Sequence, residues 1–311
     1  KRKITSVFLA LGLFASLLFQ VPISAEEADQ SAAVEASGTI STNSISGWPQ
    51  ASDISSTAAI VMETSTNTIL YSKNADEVLF PGSTVKIMTC LLALENTQLT
   101  DEVTMTATGV SGVTDGGASI SSQVDEVFTV EQCLYAIMVA SANDIALQIA
   151  EHVGGSVDGF VQQMNTRAQE LGCTNTVFTN PTGLPDDNQH TTAHDMALIM
   201  QAAIQNESFR TIAAATSYTI PATNKAAARN LTSKFTMTDT GSTGFYEGCI
   251  GGKEGYTEAS GSTLVCAAQR NGMTLISVVL KGASGQTAPD AASILNYPLE
   301  TAISALSPAV M

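Results

Sequence analysis

The chain has 311 residues, of which 29 are acidic and 13 are basic, so its formal net charge at pH 7 is −16. An acidic surface of this kind repels nucleic-acid phosphates and anionic membrane surfaces, and it argues against both as partners. The charge alone says little about the substrate, except that an anionic substrate would have to meet a local basic group.

The first 25 residues have the composition of an export signal. Three basic residues precede an uncharged apolar run over residues 7–19, and small residues lead to a plausible cleavage point after Ala25. The apolar run is shorter than the ~20 residues that a membrane-spanning helix needs. We therefore expect a signal peptide at residues 1–25 and a protein that is exported to the cell envelope or secreted.

Residues 26–45 are rich in Glu, Ser, Ala and Thr and contain almost nothing to bury, which indicates a disordered linker. Residues 46–311 contain no repeat and no second linker. We interpret this stretch as the functional domain. It begins with two short β-type runs, residues 58–62 and 68–71, which flank a polar turn and predict a hairpin.

A candidate nucleophile follows the hairpin. Pro81 and Gly82 lead into Ser83, and apolar residues at helical spacing come next, so Ser83 is predicted in the first turn of a core-facing helix. Ser83 and Lys86 share one face, where side chains three apart lie about 5–6 Å from each other at Cβ. An amine there could deprotonate the hydroxyl, and the helix N-terminus could stabilise an oxyanion. Taken alone, Ser-x-x-Lys is a weak signal.

The middle of the chain has mainly helical patterns, after a stretch at residues 103–122 that indicates strand or loop. Thr129 to Gln132 has the form of a capping box before one helix, and Thr192 to Asp195 has a similar form before another. Ser141 and Asn143 fall in the junction between two apolar helices. There they could be held rigidly and point outward, or could merely cap the second helix.

Histidine and cysteine give no metal or disulfide signal. The three histidines are not at metal-ligand spacing and no nucleophile is adjacent, so we interpret them as structural or exposed, at His152, His190 and His194. The five cysteines are odd in number and irregularly spaced, which favours buried free thiols over a disulfide framework, at Cys90, Cys133, Cys173, Cys249 and Cys266. We expect no metal and no organic cofactor.

The last third of the domain is predicted to return to the sheet. Asn271-Gly272 lies between two β-rich runs, which is the strongest short-range hairpin signal, and Lys253 opens a further strand. A final helix over residues 290–306 is expected to be interrupted at Pro298. The fold class is therefore α/β, with an antiparallel sheet flanked by helices and an all-helical middle region.

Three motifs in order, Ser-x-x-Lys at residues 83–86, Ser-x-Asn at 141–143 and Lys-x-Gly at 253–255, resemble the signature of the penicillin-recognising serine enzymes. Two further segments are similar in sequence to the D-alanyl-D-alanine carboxypeptidases among the low-molecular-weight penicillin-binding proteins. They are residues 178–185, Phe-Thr-Asn-Pro-Thr-Gly-Leu-Pro, and residues 191–196. The resemblance covers about residues 52–298 and implies a β-lactamase/transpeptidase-like fold. The family's second, β-rich C-terminal domain and amphipathic anchor are not recognised in this sequence.

The resemblance also implies roles for individual residues. Ser83 would attack the carbonyl between two D-alanines, neutral Lys86 would act as base, and Ser141 would relay a proton to the departing D-alanine. Asn143 would orient Lys86 or the substrate amide. The remaining substrate-binding positions are Lys253, Glu254, Gly255 and Tyr256, with the backbone N–H groups of Ser83 and Tyr256 as the oxyanion hole. The implied partners are a peptidoglycan stem peptide ending in D-Ala-D-Ala and β-lactam antibiotics, with no obligatory protein partner.

One position departs from the family pattern. The third motif of the family is Lys-Thr-Gly, whose threonine helps to hold the terminal carboxylate of the substrate, and here Glu254 takes its place. An ionised glutamate about 4 Å from that carboxylate would repel it by roughly 4 kcal/mol at an effective dielectric constant of 20. Three outcomes are open: Glu254 is protonated, it turns toward Lys253, or the end of the substrate is not a free carboxylate.

The alternatives follow from that departure. A catalytically impaired homologue that only binds penicillin or peptidoglycan would tolerate Glu254 but would not need intact Ser83 and Lys86. A class A β-lactamase needs a glutamate followed four residues later by asparagine, whereas Glu151 and Glu170 are followed by Gly155 and Thr174. A cytoplasmic esterase of the same fold conflicts with the export signal.

Overall fold

The structure, a computed structural model, describes residues 53–113 and 117–306. The predicted signal peptide and linker lie outside the described residues. Within them, a five-stranded antiparallel sheet has the spatial order β2 (Thr68–Lys73), β1 (Ala58–Glu63), β9 (Met273–Gly282), β8 (Gly261–Arg270) and β7 (Cys249–Thr257). The two ends of the domain thus share one sheet, which confirms the predicted fold class. Strand β7 is an edge strand.

Both predicted hairpins are confirmed. Strands β1 and β2 pair across the polar turn that follows Glu63. Strands β8 and β9 pair from Arg270 and Met273 outward, and the turn residues Asn271 and Gly272 have φ values of +51° and +77°. Two successive positive φ values are those of the type I′ turn that Asn-Gly favours.

The helices occupy the middle of the chain and its end. They are α1 (Lys86–Asn96), α2 (Ala107–Ser111), α3 (Val130–Val139), α4 (Asn143–Gly154), α5 (Val157–Glu170), α6 (Ala193–Ala203), α7 (Glu207–Ala213) and α8 (Thr287–Leu306). Two small antiparallel pairs lie between them: β3 (Glu102–Thr104) with β4 (Val127–Thr129), and β5 (Ser217–Ile220) with β6 (Arg229–Thr232). The middle region is therefore mainly helical, and the prediction that it is all-helical was wrong.

The core has two layers because alternate side chains of the sheet face opposite sides. Ile60 and Met62 of β1 belong to the larger apolar cluster, which contains the buried faces of α1 and α6. Ala59 and Val61 belong to the smaller cluster, with Ile294 and other residues of α8. The helix that follows Ser83 is therefore buried beneath the sheet, as its apolar spacing predicted.

Local signals at the helix ends were only partly correct. Thr129 and Gln132 form the full capping box, with backbone-to-side-chain distances of 3.2 and 3.0 Å. Thr192 accepts from the Asp195 N–H at 3.0 Å, but the Asp195 carboxylate does not return the bond. It accepts instead from the backbone N–H of Asn175 at 2.8 Å. The second capping box was therefore wrong, because the aspartate fixes a neighbouring loop.

The final helix also differs from the prediction. Helix α8 runs from Thr287 to Leu306 without a break at Pro298. A proline removes one backbone donor, which weakens a helix locally, but the residues on both sides can still sustain it. Within the described residues, the structure contains no helix with the length and apolar character needed to span a bilayer.

Candidate active site

Ser83 lies in a short 3₁₀ turn, Gly82–Val85, that leads directly into α1. Side chains three residues apart eclipse each other in a 3₁₀ turn. Ser83 and Lys86 are therefore brought closer together than an α-helical turn alone would require. Gly82, at φ +57°, has the backbone conformation that delivers the chain to the serine.

Two glycines allow other segments to approach the nucleophile. A Cβ atom on Gly183, at φ +82°, would lie only 1.9 Å from the carbonyl oxygen of Gly82. A Cβ atom on Gly255 would lie 2.6 Å from the backbone nitrogen of Ser83. Both distances are below any tolerable contact, so the loop of residue 183 and the edge strand β7 can pack against Ser83 only with glycine at these positions.

The amine of Lys86 connects three segments of the chain. Its Nζ atom lies 3.2 Å from Ser83 Oγ and 2.7 Å from Asn143 Oδ1, and it also donates to the backbone carbonyl of Thr182. The latter two partners are oxygen acceptors, so they occupy the two N–H bonds of a neutral amine. The lone pair of that amine would then face the Ser83 hydroxyl, as a general base requires.

The environment of Lys86 favours the neutral amine. The side chain is fully buried. Burial lowers the pKa of Lys86 well below its ordinary value, and the positive charge of Lys253 lowers the pKa further, while Glu254 and Cys90 act in the opposite direction. Because a lysine must lose its proton to accept one, burial and the second lysine both assist the role of base.

Ser141 and Asn143 lie where α3 ends and α4 begins, as their junction predicted. Ser141 has φ +56°, is half-buried and lines the same cavity as Ser83. Its hydroxyl makes no hydrogen bond within the described part of the chain, which leaves it available to a ligand. Asn143 is 3% exposed and begins α4, so its role as a simple side-chain cap is not observed.

Lys253 and Glu254 pair with each other on strand β7. Lys253 Nζ lies 2.8 Å from Glu254 Oε1 and 2.7 Å from the Glu254 carbonyl oxygen, and the lysine is fully buried. Of the three outcomes considered for Glu254, this geometry corresponds to the turn toward Lys253. The other carboxylate oxygen, Oε2, is buried and has no hydrogen-bond partner.

The backbone of Tyr256 faces the open edge of the sheet. The Thr257 N–H bonds Ser260 Oγ at 3.0 Å, on the side of β8. Because successive N–H groups of a strand point in opposite directions, the Tyr256 N–H points away from β8. Gly255 packs on the Ser83 backbone nitrogen, so the two N–H groups that we predicted as an oxyanion hole lie on adjoining segments. The Tyr256 side chain itself is 67% exposed.

These residues line a cavity of about 620 Å³. One wall, the helical wall, consists of Ser83, Ser141 and Asn143, behind which Lys86 is buried. The opposite wall, the strand wall, consists of Glu254, Gly255 and Tyr256 with Lys253 behind them. The structure thus brings all eight sequence-predicted site residues to one place. Among the described residues, the Ser141 hydroxyl makes no direct hydrogen bond to the other seven.

Sequence reasoning missed four contributors. The Thr182 carbonyl accepts from Lys86, and Asn180 Oδ1 orients that loop by accepting from the Thr182 and Gly183 N–H groups at 3.1 and 2.9 Å. Asp144, in α4, accepts a hydrogen bond from Ser122 Oγ at 2.8 Å and thereby holds the segment around Ser122 against the start of α4. The residues Asn-Pro-Thr-Gly indicated a turn, but a backbone acceptor has no signature in a sequence. Lys234 also lines the cavity, and no sequence motif includes it.

The remaining polar residues give no metal site. Within the described ranges, no group of three or more His, Cys, Asp or Glu side chains could hold a metal ion. His194 Nδ1 pairs with Asp76 at 3.1 Å, and His190 Nδ1 lies 2.9 Å from a backbone carbonyl. All five cysteines are free, and Cys249 is the one that is half-buried instead of fully buried.

Comparisons with known proteins agree with this geometry. A family model described as D-alanyl-D-alanine carboxypeptidase matches residues 46–284. The D-alanyl-D-alanine carboxypeptidase DacF of Bacillus subtilis is 36% identical over 234 residues, which are 73% of this chain but 57% of the relative. The D-alanyl-D-alanine carboxypeptidase of Streptomyces K15 is 32% identical over 254 residues, which are 78% of this chain and 87% of the relative. The chain therefore spans little more than half the length of the Bacillus protein.

Solved structures show the same similarity. The crystal structure of the Streptomyces K15 DD-transpeptidase superposes with a TM-score of 0.75 at 30% identity and covers 81% of this chain and 100% of that one. The D-alanyl-D-alanine carboxypeptidase of Mycobacterium tuberculosis superposes with a TM-score of 0.74 at 27% identity, covering 82% and 95%. Each superposition covers about four fifths of this chain and at least 95% of the solved structure, so the similarity is one of fold over most of the chain.

Proposed function

The chain belongs to the D-alanyl-D-alanine carboxypeptidase family, and we propose that it is a serine-type D-Ala-D-Ala carboxypeptidase that removes the terminal D-alanine from peptidoglycan stem pentapeptides. The observation that supports this proposal most strongly is the position of Lys86. Its amine is buried, has a lowered pKa and lies 3.2 Å from Ser83 Oγ. The two other partners of the amine are oxygen atoms that accept hydrogen bonds and cannot donate them.

The first half of the reaction is acylation. Ser83 Oγ attacks the carbonyl carbon between the two D-alanines while its proton passes to Lys86 Nζ. The negative charge moves to the carbonyl oxygen, which the N–H groups of Ser83 and Tyr256 would stabilise, each donor contributing roughly 3 kcal/mol. The C–N bond then breaks, and the departing D-alanine amine takes a proton, which the Ser141 hydroxyl is placed to relay. An ester to Ser83 remains.

The second half is hydrolysis of that ester. A water molecule gives a proton to the neutral amine of Lys86 and attacks the ester carbonyl, and the same two N–H groups stabilise the oxyanion. The proton returns to Ser83 Oγ as the C–O bond breaks. The shortened stem peptide leaves with a new terminal carboxylate, and the enzyme is restored without a metal or an organic cofactor.

The same serine would open the amide of a β-lactam ring, whose leaving nitrogen stays attached to the acyl group. We therefore propose that penicillins acylate Ser83. Because the substrate is a cell-wall peptide, we also propose that the protein acts outside the cytoplasm, which the basic and apolar pattern of residues 1–25 supports. Cleavage after Ala25 would be seen as a mature protein whose N-terminus is Glu26.

The proposed activity is tested by measuring D-alanine release from a peptide that ends in L-Lys-D-Ala-D-Ala. Replacement of Ser83 by alanine should abolish release, whereas Ser65→Ala, in the exposed turn between β1 and β2, is a hydroxyl control that should leave release unchanged. Release that persists in the Ser83→Ala variant would contradict the assignment of the nucleophile and of the function.

A further inference from the structure

The strand wall offers no free positive charge to a ligand. Lys253 is fully buried and directs two of its three N–H bonds at Glu254, one at the backbone carbonyl and one at the carboxylate. Glu254 lines the cavity and carries a second oxygen without a partner. An anionic group that approached this point would face the negative charge of Glu254 and a lysine that is already paired with it.

A different cation does line the cavity. Lys234 is exposed, borders the same cavity as Ser83, and makes no hydrogen bond or ion pair within the part of the chain that the structure describes. Among the described lining residues, it is the one basic side chain, and Glu254 is the one acidic side chain. The charge pattern of the cavity therefore runs from an acid on the strand to a free amine on the loop that follows β6.

The neighbour of Lys234 fixes the backbone that carries that amine. Phe235 is buried, and its ring packs on Gly252 so closely that a Cβ atom there would lie 2.6 Å from Phe235 Cζ. Gly252 directly precedes Lys253 on β7. The loop is further tied down by the Tyr246 N–H, which donates to the Met237 carbonyl at 3.0 Å. On the other side of Lys234, the Ser233 N–H donates to the Thr216 carbonyl at 2.8 Å, so the backbone of Lys234 is held beside the strand wall from both directions.

We propose that Lys234 binds the carboxylate of the ligand, a role that Lys253 is not free to serve alone while it pairs with Glu254. The carboxylate would be the C-terminus of a stem peptide or the ring carboxylate of a penicillin, since both have the same charge and hydrogen-bonding capacity. Thr236 and Thr243 also line the cavity, and a threonine hydroxyl can donate to the second carboxylate oxygen. This inference rests on the proposed function for the identity of the ligand, but not for its test.

The test measures binding where no turnover occurs. The full chain with Ser83→Ala is titrated by calorimetry with acetyl-L-Lys-D-Ala-D-Ala and with the same peptide as its C-terminal amide. We expect the acid to bind more tightly than the amide. Adding Lys234→Met should weaken binding of the acid about tenfold, in the range of a hydrogen bond to a charged group, and leave the amide unchanged. Lys234→Arg should retain most of the affinity for the acid.

Controls make the outcomes separable. Lys281→Met removes another exposed lysine that does not line the cavity and should change neither affinity. Equal loss for acid and amide, or no loss for either, would overturn the assignment of Lys234. The penicillin experiment uses protein that retains Ser83. In that protein, Lys234→Met should raise the penicillin concentration needed for half-maximal acylation without changing the limiting rate.

The two proposals can fail independently. If the Ser83→Ala chain shows the Lys234-dependent preference for the acid but the unmodified protein releases no D-alanine, the carboxylate site stands and the carboxypeptidase activity falls. If D-alanine is released with the same KM in the Lys234→Met variant, the activity stands and the carboxylate site falls.

Discussion

The helical wall and the strand wall of the cavity satisfy their lysines in opposite ways. Lys86 of the helical wall is held by groups from three separate segments, at Ser83, Asn143 and Thr182. Lys253 of the strand wall is held by its own neighbour, Glu254, which keeps one oxygen unpaired. The helical wall is therefore built for chemistry whatever the ligand, whereas the strand wall is the place where recognition in this chain departs from its family.

This difference implies that reaction and recognition can be perturbed separately. Changes in the helical wall should reduce the rate for every ligand, because they remove the nucleophile or its base. Changes in the strand wall should affect charged and uncharged ligands differently, because they alter the electrostatic environment of the ligand's carboxylate.

Lys86→Met should have the largest effect on the helical wall. Methionine occupies a similar volume but cannot accept the Ser83 proton, so acylation and D-alanine release should fall by about 10³-fold, within the range for loss of a general base. Stopped-flow acylation by a penicillin measures the change, with Lys281→Met as control and circular dichroism to establish folding. A Lys86→Met variant that retains most of its acylation rate would show that another group serves as base.

Asn143→Ala should have a smaller effect, because it removes one of the acceptors that hold the Lys86 amine at 2.7 Å but leaves the Thr182 carbonyl. We expect acylation to slow by about 10- to 100-fold, as for loss of one oriented group in an active site. The loss should be alike for the acid and the amide peptide. A loss of rate for only one of the two peptides would show that Asn143 binds the ligand and does not orient Lys86.

Glu254→Thr tests the strand wall. The change removes the carboxylate and frees Lys253, so D-alanine release from the acid peptide should rise about tenfold, which corresponds to about 1.4 kcal/mol. Release of D-alaninamide from the corresponding peptide amide should change little. Unchanged or reduced release from the acid peptide would mean that Glu254 has an adapted role in this site, and Glu254→Gln would then show whether its charge or its shape is needed.

The two walls are coupled through the pKa of Lys86, which gives the smallest predicted effect. Acylation requires the neutral amine, so its rate should rise with pH through the lowered pKa and then level off. Lys253 lowers that pKa and Glu254 raises it. Lys253→Met should therefore shift the rising limb to higher pH, and Glu254→Gln should shift it to lower pH.

Shifts in the same direction for both variants, or none for either, would show that the charges of the strand wall do not reach Lys86. The measurement is the pH dependence of acylation by a chromogenic cephalosporin. Its limiting rate at high pH provides the internal control, because that rate should be less affected than the midpoint.

Much of the fold was predictable because its signals are local. Asn271-Gly272 specifies a turn with two positive φ values, and Thr129 with Gln132 specifies a helix start within four residues. Ser83 and Lys86 are three residues apart, so any helical turn places their side chains on one face. Where a signal depended on a distant partner, as at Asp195, the prediction failed because the side chain bonds a loop about 20 residues away.

The rest of the site could not be predicted because it depends on long-range packing. The Thr182 carbonyl meets Lys86 across 96 positions of sequence, and a backbone oxygen has no residue type that reveals it. Lys234 belongs to no motif, and only the packing of Phe235 on Gly252 places it beside the strand wall. The turn of Glu254 toward Lys253 is one of three outcomes that the sequence allows, because the rotamers of the pair depend on the packing around them.

Intact-protein mass spectrometry after incubation with a penicillin tests the central claim most directly, that the helical wall is a working acylation site despite Glu254. Our account predicts a mass increase equal to one penicillin, which is absent in the Ser83→Ala variant and greatly slowed in Lys86→Met. If the protein without substitutions gains no mass and the penicillin stays intact, the account is contradicted, and the cavity would be one that only binds cell-wall peptides.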